Sequence, residues 1–320
     1  MDYPKDISII IPLLDEAESL PELTEWIERV MAAGGRSHEI IMVDDGSRDC
    51  SWDVITDLSK KYPSVSAIRF RRNYGKSAAL YCGFKKACGR VVITMDADLQ
   101  DSPDEIPELY RMIVEDGYDL VSGWKQNRQD NVLTKNLPSK LYNATARRIT
   151  GIKLHDMNCG LKAYRNEVVK NIEVYGEMHR YIPYLAKNAG FSNIGEKPVH
   201  HQKRKYGKSK FGMERFVNGM LDLVSLWFLG TFGKKPMHFF GLSGILMFLL
   251  GFLCAVWIIV EKLVNQSHGL RFRPVTDQPL FYIALVAILA GTMLFLAGFI
   301  CEMISRNSSE RNHYNIRETI

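Results

Sequence analysis

The six cysteines form no C-x-x-C pair, and no histidine stands at zinc-ligand spacing from any of them. Cys50, Cys82, Cys88 and Cys159 are scattered, and Cys254 and Cys301 sit inside long apolar runs. A disulfide scaffold or a zinc site does not follow from such placement, and a reducing compartment fits it. There is no G-x-x-x-x-G-K-[ST], which disfavours a P-loop nucleotidase, and no G-x-G-x-x-G after the first strand-like run, which disfavours a dinucleotide dehydrogenase. Internal repeats and low-complexity tracts are missing too. The opening Met1-Asp2-Tyr3-Pro4-Lys5-Asp6 has no basic region leading into a long apolar core. It does not read as a signal peptide, so the polar part of the chain is expected on the cytoplasmic side.

What is present is unevenly distributed. Over 320 residues, 46% are hydrophobic and 24% charged, ordinary values that describe neither half. Most charge precedes Pro236, and the longest apolar runs follow it. Met237–Val260 and Gln278–Cys301 each hold 24 residues without Asp, Glu, Lys or Arg. As helices they would be roughly 36 Å long, enough to cross a hydrocarbon core of about 30 Å. Two spans return the chain to one side, with Lys234, Lys235, Arg306 and Arg311 flanking the outer ends. The loop between them also carries Lys262, Arg271 and Arg273, so charge alone does not orient them.

The net charge of +5 is modest, but five cations fall at Lys203, Arg204, Lys205, Lys208 and Lys210, just after His200 and His201. Such a cluster suits nucleic acid, anionic lipid or a phosphorylated ligand, or is a solvated turn. Between it and the first span, Phe216, Met220, Leu223, Val224 and Trp227 recur at helical spacing. That segment reads as helix lying in a membrane interface, with an ordinary core helix as the alternative. The expected organisation is a folded domain over 1–210, interfacial helices over 211–235, a two-helix anchor over 236–305 and a polar tail over 306–320.

The first 200 residues alternate strand and helix patterns. Ile7–Ile11, Glu39–Val43, Val65–Phe70 and Arg90–Met95 are strand-like, and Leu20–Met31, Trp52–Lys61 and Ser77–Cys88 are amphipathic. Near-continuous apolar strands separated by helices predict an α/β domain with a mostly parallel sheet covered on both faces. Ligands bind such sheets beyond the strands' carboxyl ends, and three acidic clusters lie there: Asp15-Glu16, Asp44-Asp45-Gly46-Ser47 and Asp96-Ala97-Asp98-Leu99-Gln100. One acid after a strand is commonly a helix cap; three clusters at one edge are not explained that way. Asp96 and Asp98, two residues apart, can converge on one cation, with Gln100 adding an oxygen. Hard oxygen ligands suit Mg2+ or Mn2+ shared with a diphosphate.

These motifs resemble those of the family 2 glycosyltransferases, which have the GT-A fold, and within them the polyprenyl-phosphate glycosyltransferases related to dolichyl-phosphate mannose synthase. Asn73-Tyr74-Gly75-Lys76, Asp156-Met157-Asn158-Cys159-Gly160, Tyr206-Gly207-Lys208-Ser209-Lys210 and the two spans extend the match over residues 5–305. The resemblance implies that Pro12, Leu14, Glu16 and Asp45 line a nucleoside pocket, that Asp96 meets nucleotide and metal, and that Asp98 and Gln100 complete the metal shell. It places Lys125, Lys135 and Ser139 on the acceptor phosphate. Asp15 stands where the family usually has Asn, and Lys125 where it often has Arg, a point charge in place of a bidentate fork. Arg204, Ser209 and Lys210 are read as a loop closing over donor and acceptor phosphates.

The activity so implied is metal-dependent, inverting transfer of one sugar from a UDP- or GDP-linked donor to a polyprenyl phosphate at the inner membrane, by a homo-oligomer for which the resemblance suggests a tetramer. Nucleic acid is not an expected partner, since no reading motif accompanies the basic cluster. A processive polysaccharide synthase would carry Q-x-x-R-W, which is missing. Transfer to a sugar-lipid hydroxyl would need a carboxylate base, for which Asp156 is the candidate.

Overall fold

The computed structural model describes residues 3–125, 147, 150–202, 205–206, 228, 231–232, 235–269 and 273–307. The chain divides into two compact units, Met1–Val224 and Ser225–Ile320.

In the first unit, the β-branched run after Lys5 has no polar face to turn to water, so it becomes a central strand. β1 (Lys5–Leu13) lies between β2 (His38–Asp44) and β4 (Gly89–Thr94), parallel to both, with Ile9 opposite Ile40 and Ile93. β3 (Val65–Arg69) adds in parallel beyond β2. Side chains alternate between faces. Ile7, Ile9 and Ile11 join the core formed with α1 (Leu20–Gly34), α2 (Ser51–Lys61) and α4 (Ile106–Val114). Ile10 meets α3 (Lys76–Lys86) on the opposite face; a Cβ on Gly83 would stand 2.5 Å from its Cγ2. α1 buries Leu20, Leu23, Thr24, Ile27 and Met31, one stripe at helical spacing, and ends on Gly35 in the left-handed conformation.

The remaining strands are β5 (Leu120–Trp124), β6 (Lys162–Arg165) and β7 (Ile194–Pro198), giving the sheet order β3-β2-β1-β4-β6-β5-β7. β6 runs antiparallel to both β4 and β5. That reversal positions the site. β5 consequently runs parallel to β4, so Lys125 leaves the same edge as Leu13, Asp44 and Thr94, while Gly160 to Lys162 enter there, with Lys162 opposite Thr94.

The other edge carries its own polar network. Ser8 Oγ donates to Glu39 Oε1 at 2.5 Å, and the Cys88 N–H donates to the same oxygen at 2.8 Å. Burial raises the Glu39 carboxyl, but these donors outweigh it and hold the group below its ordinary 4.5. A depressed folded-state value stabilises the fold above pH 4.5 and loses that contribution as pH falls through the depressed value. The urea midpoint of the wild type is therefore expected to drop on acidification from pH 6 to pH below 4.5 more steeply than that of Glu39→Gln.

In the second unit, Pro236–Ser267 (α7) and Pro279–Asn307 (α8), following the short helices α5 (Asn166–Lys170) and α6 (Ile182–Asn188) of the first, are each long and apolar enough to cross a bilayer, with mean hydropathy 2.6. The first runs past its uncharged stretch through Glu261 and Lys262. Their outward faces are apolar, with Leu253, Trp257, Met293 and Ile304 exposed, which suits lipid and not water. They pack through small residues. A Cβ on Gly244 would stand 2.7 Å from the Gly291 carbonyl oxygen, and one on Gly251 2.7 Å from that of Ala284. Close backbone approach of this kind drives helix association in lipid, where apolar burial cannot.

Candidate active site

The loops after β1 and β2 are laced together. The Asp15 N–H donates to Ser47 Oγ at 2.9 Å, the Arg48 N–H to Asp15 Oδ1 at 2.8 Å, and the Glu16 N–H to Ser51 Oγ at 3.0 Å. Asp15 has φ +57°, a conformation that Asn and Asp tolerate best among non-glycines. The substitution of Asp for the usual Asn therefore keeps the turn.

Asp45 is clamped. Its Oδ1 accepts from the Tyr74 N–H at 2.7 Å and its Oδ2 from the Gly75 N–H at 2.9 Å. Burial pushes its carboxyl up, against the pull of those two donors. Gly46 makes the clamp possible: it has φ +76°, and a Cβ there would stand 2.6 Å from the Arg72 carbonyl carbon and 2.9 Å from the Asn73 nitrogen. Gly46→Ala is expected to destabilise the fold by on the order of 2–3 kcal/mol, through left-handed strain plus a backbone clash. Its urea midpoint and nucleotide affinity, measured against wild type, should both fall.

Asp96 leaves β4 into a ring of cations. Lys76, the first residue of α3, pairs its ammonium with Asp96 Oδ1. Burial would raise this carboxyl, but Lys76, Lys125 and Lys162 outweigh it and hold Asp96 well below the usual carboxylate range. Lys162 is 3% exposed and donates to the Cys159 carbonyl; burial draws its ammonium below the ordinary lysine value, against the fields of the Asp156 and Asp96 carboxylates. The Cys159 thiol is pushed up to about 12, by burial and then by Asp101. It stays a neutral packing group. Gly160 leaves room for the carboxylate, since a Cβ there would stand 2.6 Å from Asp96 Cγ. A cavity of about 20 Å³, space for about one water, opens beside these groups and is lined by Pro12, Lys76, Asp96, Lys162, Tyr164 and His179.

Past Asp96 the chain bends sharply. The Gln100 N–H donates to Asp98 Oδ1 at 3.2 Å, and Leu99 between them is buried with φ +60°. A leucine in this region stores strain that surrounding contacts must sustain. Asp101, fully buried, pairs with Lys125 at 2.9 Å, and its field, against the effect of burial, holds the Lys125 ammonium above its ordinary value. The Gln100 carbonyl accepts from the Gln202 N–H at 2.9 Å, and Asp101 bridges His201. The segment leading into the basic cluster is thus pinned to the acidic loop. Within that cluster, Lys205 is paired with Glu22 at 2.7 Å.

Pro12, Asp45, Asp96, Asp98, Gln100 and Lys125 are gathered at one sheet edge, with Leu14 and Glu16 on the adjoining loop. Lys135, Ser139, Arg204, Ser209 and Lys210 lie outside the described residues, as does nearly all of the predicted interfacial segment. Asp156 is 3% exposed and accepts from the Asn158 N–H at 3.1 Å; its burial counts against a base for a hydroxyl acceptor. Lys76, Lys162 and Gly160 were not among the predicted site residues. Lys76 and Gly160 fall inside motifs quoted above, and that position was their only signal.

Among the described residues, no three His, Cys, Asp or Glu side chains converge as a metal site. Two carboxylates and an amide oxygen fit a hard cation that takes its remaining ligands from a diphosphate and water.

The described sheet, with parallel β1, β2 and β4 presenting acids at one edge, is the GT-A arrangement, and comparison with known proteins agrees. Solved structures of glucosyl-3-phosphoglycerate synthase from Mycobacterium tuberculosis share the fold at 17% identity, covering 71% of this chain and 80% of theirs. The TM-scores are 0.53 with UDP and 0.51 with Mn2+, UDP-glucose and glycerol 3-phosphate. The family model "Glycosyl transferase family 2" matches residues 8–173. The chain belongs to that family and is a glycosyltransferase. A dodecaprenyl-phosphate galacturonate synthase from Rhizobium johnstonii is 33% identical over 303 residues, 94% of this chain and 88% of that protein. An undecaprenyl-phosphate 4-deoxy-4-formamido-L-arabinose transferase from Pseudomonas syringae is 39% identical over 264 residues, 82% of this chain and 76% of that protein.

Proposed function

We propose that this enzyme transfers a single sugar, with inversion, from a nucleotide sugar to a polyprenyl phosphate at the cytoplasmic face of the inner membrane, working as a homo-oligomer with Mg2+ or Mn2+. The observation that carries the reading is the extent of the first likeness: 94% of the chain, acidic edge and apolar helices together, aligns with a transferase named for a polyprenyl-phosphate product. A relative sharing only the sugar-nucleotide fold would not need those helices.

The chemistry asks little proton transfer of the protein. A phosphate monoester has a second pKa of about 6, so its oxygens are nucleophilic at neutral pH without a general base. Alignment and charge neutralisation remain. Asp45, held by two backbone donors, is a rigid acceptor for the nucleoside, beside Pro12, Leu14 and Glu16. Asp96, Asp98 and Gln100 would hold the divalent cation, which when bound neutralises the departing diphosphate. Lys125, held in place by Asp101, is assigned to the acceptor phosphate. Lys135 and Ser139 are assigned to the acceptor phosphate, and Arg204, Ser209 and Lys210 to closure over both phosphates.

The test is a panel of UDP- and GDP-linked sugars incubated with polyprenyl phosphate and membranes containing the full chain, read by the mass of the lipid product. One donor should yield a lipid one sugar heavier. Polymeric product, or no lipid-linked sugar with any donor while a sugar-lipid acceptor is glycosylated, would overturn the reading.

A further inference from the structure

Lys76 is the one cation in the ring about Asp96 that touches its carboxylate in the described structure, and its placement is tied to the nucleoside side of the site. The Gly75 N–H, one residue earlier, donates to Asp45 Oδ2, and Tyr74 donates to Oδ1. One short turn therefore carries both the clamp on Asp45 and the counter-ion of Asp96. It opens helix α3, whose Ser77 hydroxyl is fixed against His179 Nδ1 at 3.1 Å, so the turn is held at both ends. The pair itself is reachable, with both side chains about one-third exposed (33% and 32%), unlike Lys162 at 3%. An ammonium on a flexible stem exchanges partners more readily than a guanidinium fork.

We propose that Lys76 is an exchangeable counter-ion that closes Asp96 to divalent cations until a nucleoside diphosphate arrives. This rests on the metal assignment above and adds an order of binding to it. In the free enzyme the ammonium satisfies the Asp96 oxygen that a cation would need, and repels that cation. The diphosphate brings negative charge to the same edge and draws the ammonium from Asp96 to its own oxygens. Asp96 is then available, and Lys76 neutralises part of the leaving group. Metal without nucleotide therefore binds weakly.

The proposal is tested on the full-length protein by titrating Mn2+ alone and following free Mn2+ by electron paramagnetic resonance, then repeating with saturating UDP or GDP. Wild type should bind Mn2+ alone weakly and gain strongly from the nucleotide. Lys76→Met should bind Mn2+ alone on the order of tenfold tighter, the size of effect that one adjacent charge has on a titrating site, and should gain less from nucleotide. Lys76→Arg, which keeps the charge, should stay near wild type. Lys76→Gln serves as the neutral variant should the methionine impair folding, as judged by thermal unfolding. Unchanged or weaker binding of Mn2+ alone by the neutral variants, with normal nucleotide-dependent uptake, overturns the counter-ion role and leaves the metal assignment standing. No Mn2+ uptake by any variant, with or without nucleotide, overturns both.

Discussion

Asp96→Asn should lower sugar transfer by at least about three orders of magnitude, the scale expected when a preorganised charge at a reacting diphosphate is lost. The substitution keeps the size and shape of the side chain, so neither Gly160 nor the cavity beside it is disturbed sterically. What changes is charge. Lys76, Lys125 and Lys162 lose the group toward which all three act, and the cation loses its assigned carboxylate. Mn2+ uptake in the presence of nucleotide should fall with turnover, while circular dichroism stays that of the wild type. Asp104→Asn is the control. That acid follows in the same stretch of sequence but is occupied by Trp26 Nε1 at 3.0 Å and by the Ser102 hydroxyl at 3.2 Å, and its loss should leave transfer within about twofold of wild type, as for most surface substitutions. An Asp96→Asn enzyme that keeps a tenth or more of wild-type turnover would sink the assignment of Asp96.

The acids were legible because parallel strands send their carboxyl ends to one edge. Once Ile7–Ile11, Glu39–Val43 and Arg90–Met95 are read as neighbouring strands, the motifs after them must meet. The structure differs from those bounds by a residue or two. The helices at Leu20, Trp52 and Ser77 were legible for a related reason, since a stripe at helical spacing has one place to go. β6 was not. Its four residues, Lys-Ala-Tyr-Arg, carry two cations and no strand period, and only their pairing with β4 on one side and β5 on the other makes them a strand. The burial of Lys162 was hidden with it: a lysine in such a run reads as surface, and what allows it inside is the Cys159 carbonyl and Asp156 in the loop just before it, together with Asp96, far away in sequence. The positive φ of Leu99 was equally silent, because local preference opposes it and tertiary contacts impose it. Asp15, by contrast, belongs to a residue type that announces such a turn.

This division also explains why the lysines were not read as one ring, although Lys125 was assigned through the resemblance and Lys76 lies inside a quoted motif. A motif records residues that keep a fixed spacing, and the three cations acting on Asp96 come from α3, from the end of β5 and from the start of β6. Only the antiparallel insertion of β6 brings the last two to the edge where Asp96 emerges. The electrostatics of the site is therefore a property of the sheet order, and a family member with a different residue at any one of the three would titrate and bind cations differently while keeping every acidic motif intact.

Removing the apolar helices should separate two things the full chain does together. A chain ending at Val224 keeps the compact first unit, including Asp45, Asp96, Asp98, Gln100 and Lys125, and loses both helices long enough to cross a bilayer. Its affinity for the nucleotide donor should stay within about threefold of the full chain, since the clamp on Asp45 and the cations about Asp96 all belong to that unit. Transfer to polyprenyl phosphate embedded in vesicles should fall by about 10²-fold or more, because anchoring turns a search through solution into an encounter within the membrane plane, and effective-concentration gains of that size are typical of tethering. A short-chain, water-soluble prenyl phosphate supplies the internal control. On it, the truncated and full-length proteins should turn over at similar rates. Equal rates on the vesicle-embedded acceptor would show that the helices are not needed to present the lipid. Loss of activity on both acceptors with donor binding intact would instead assign part of the acceptor site to residues beyond Val224, and the anchor would then be a piece of the active site.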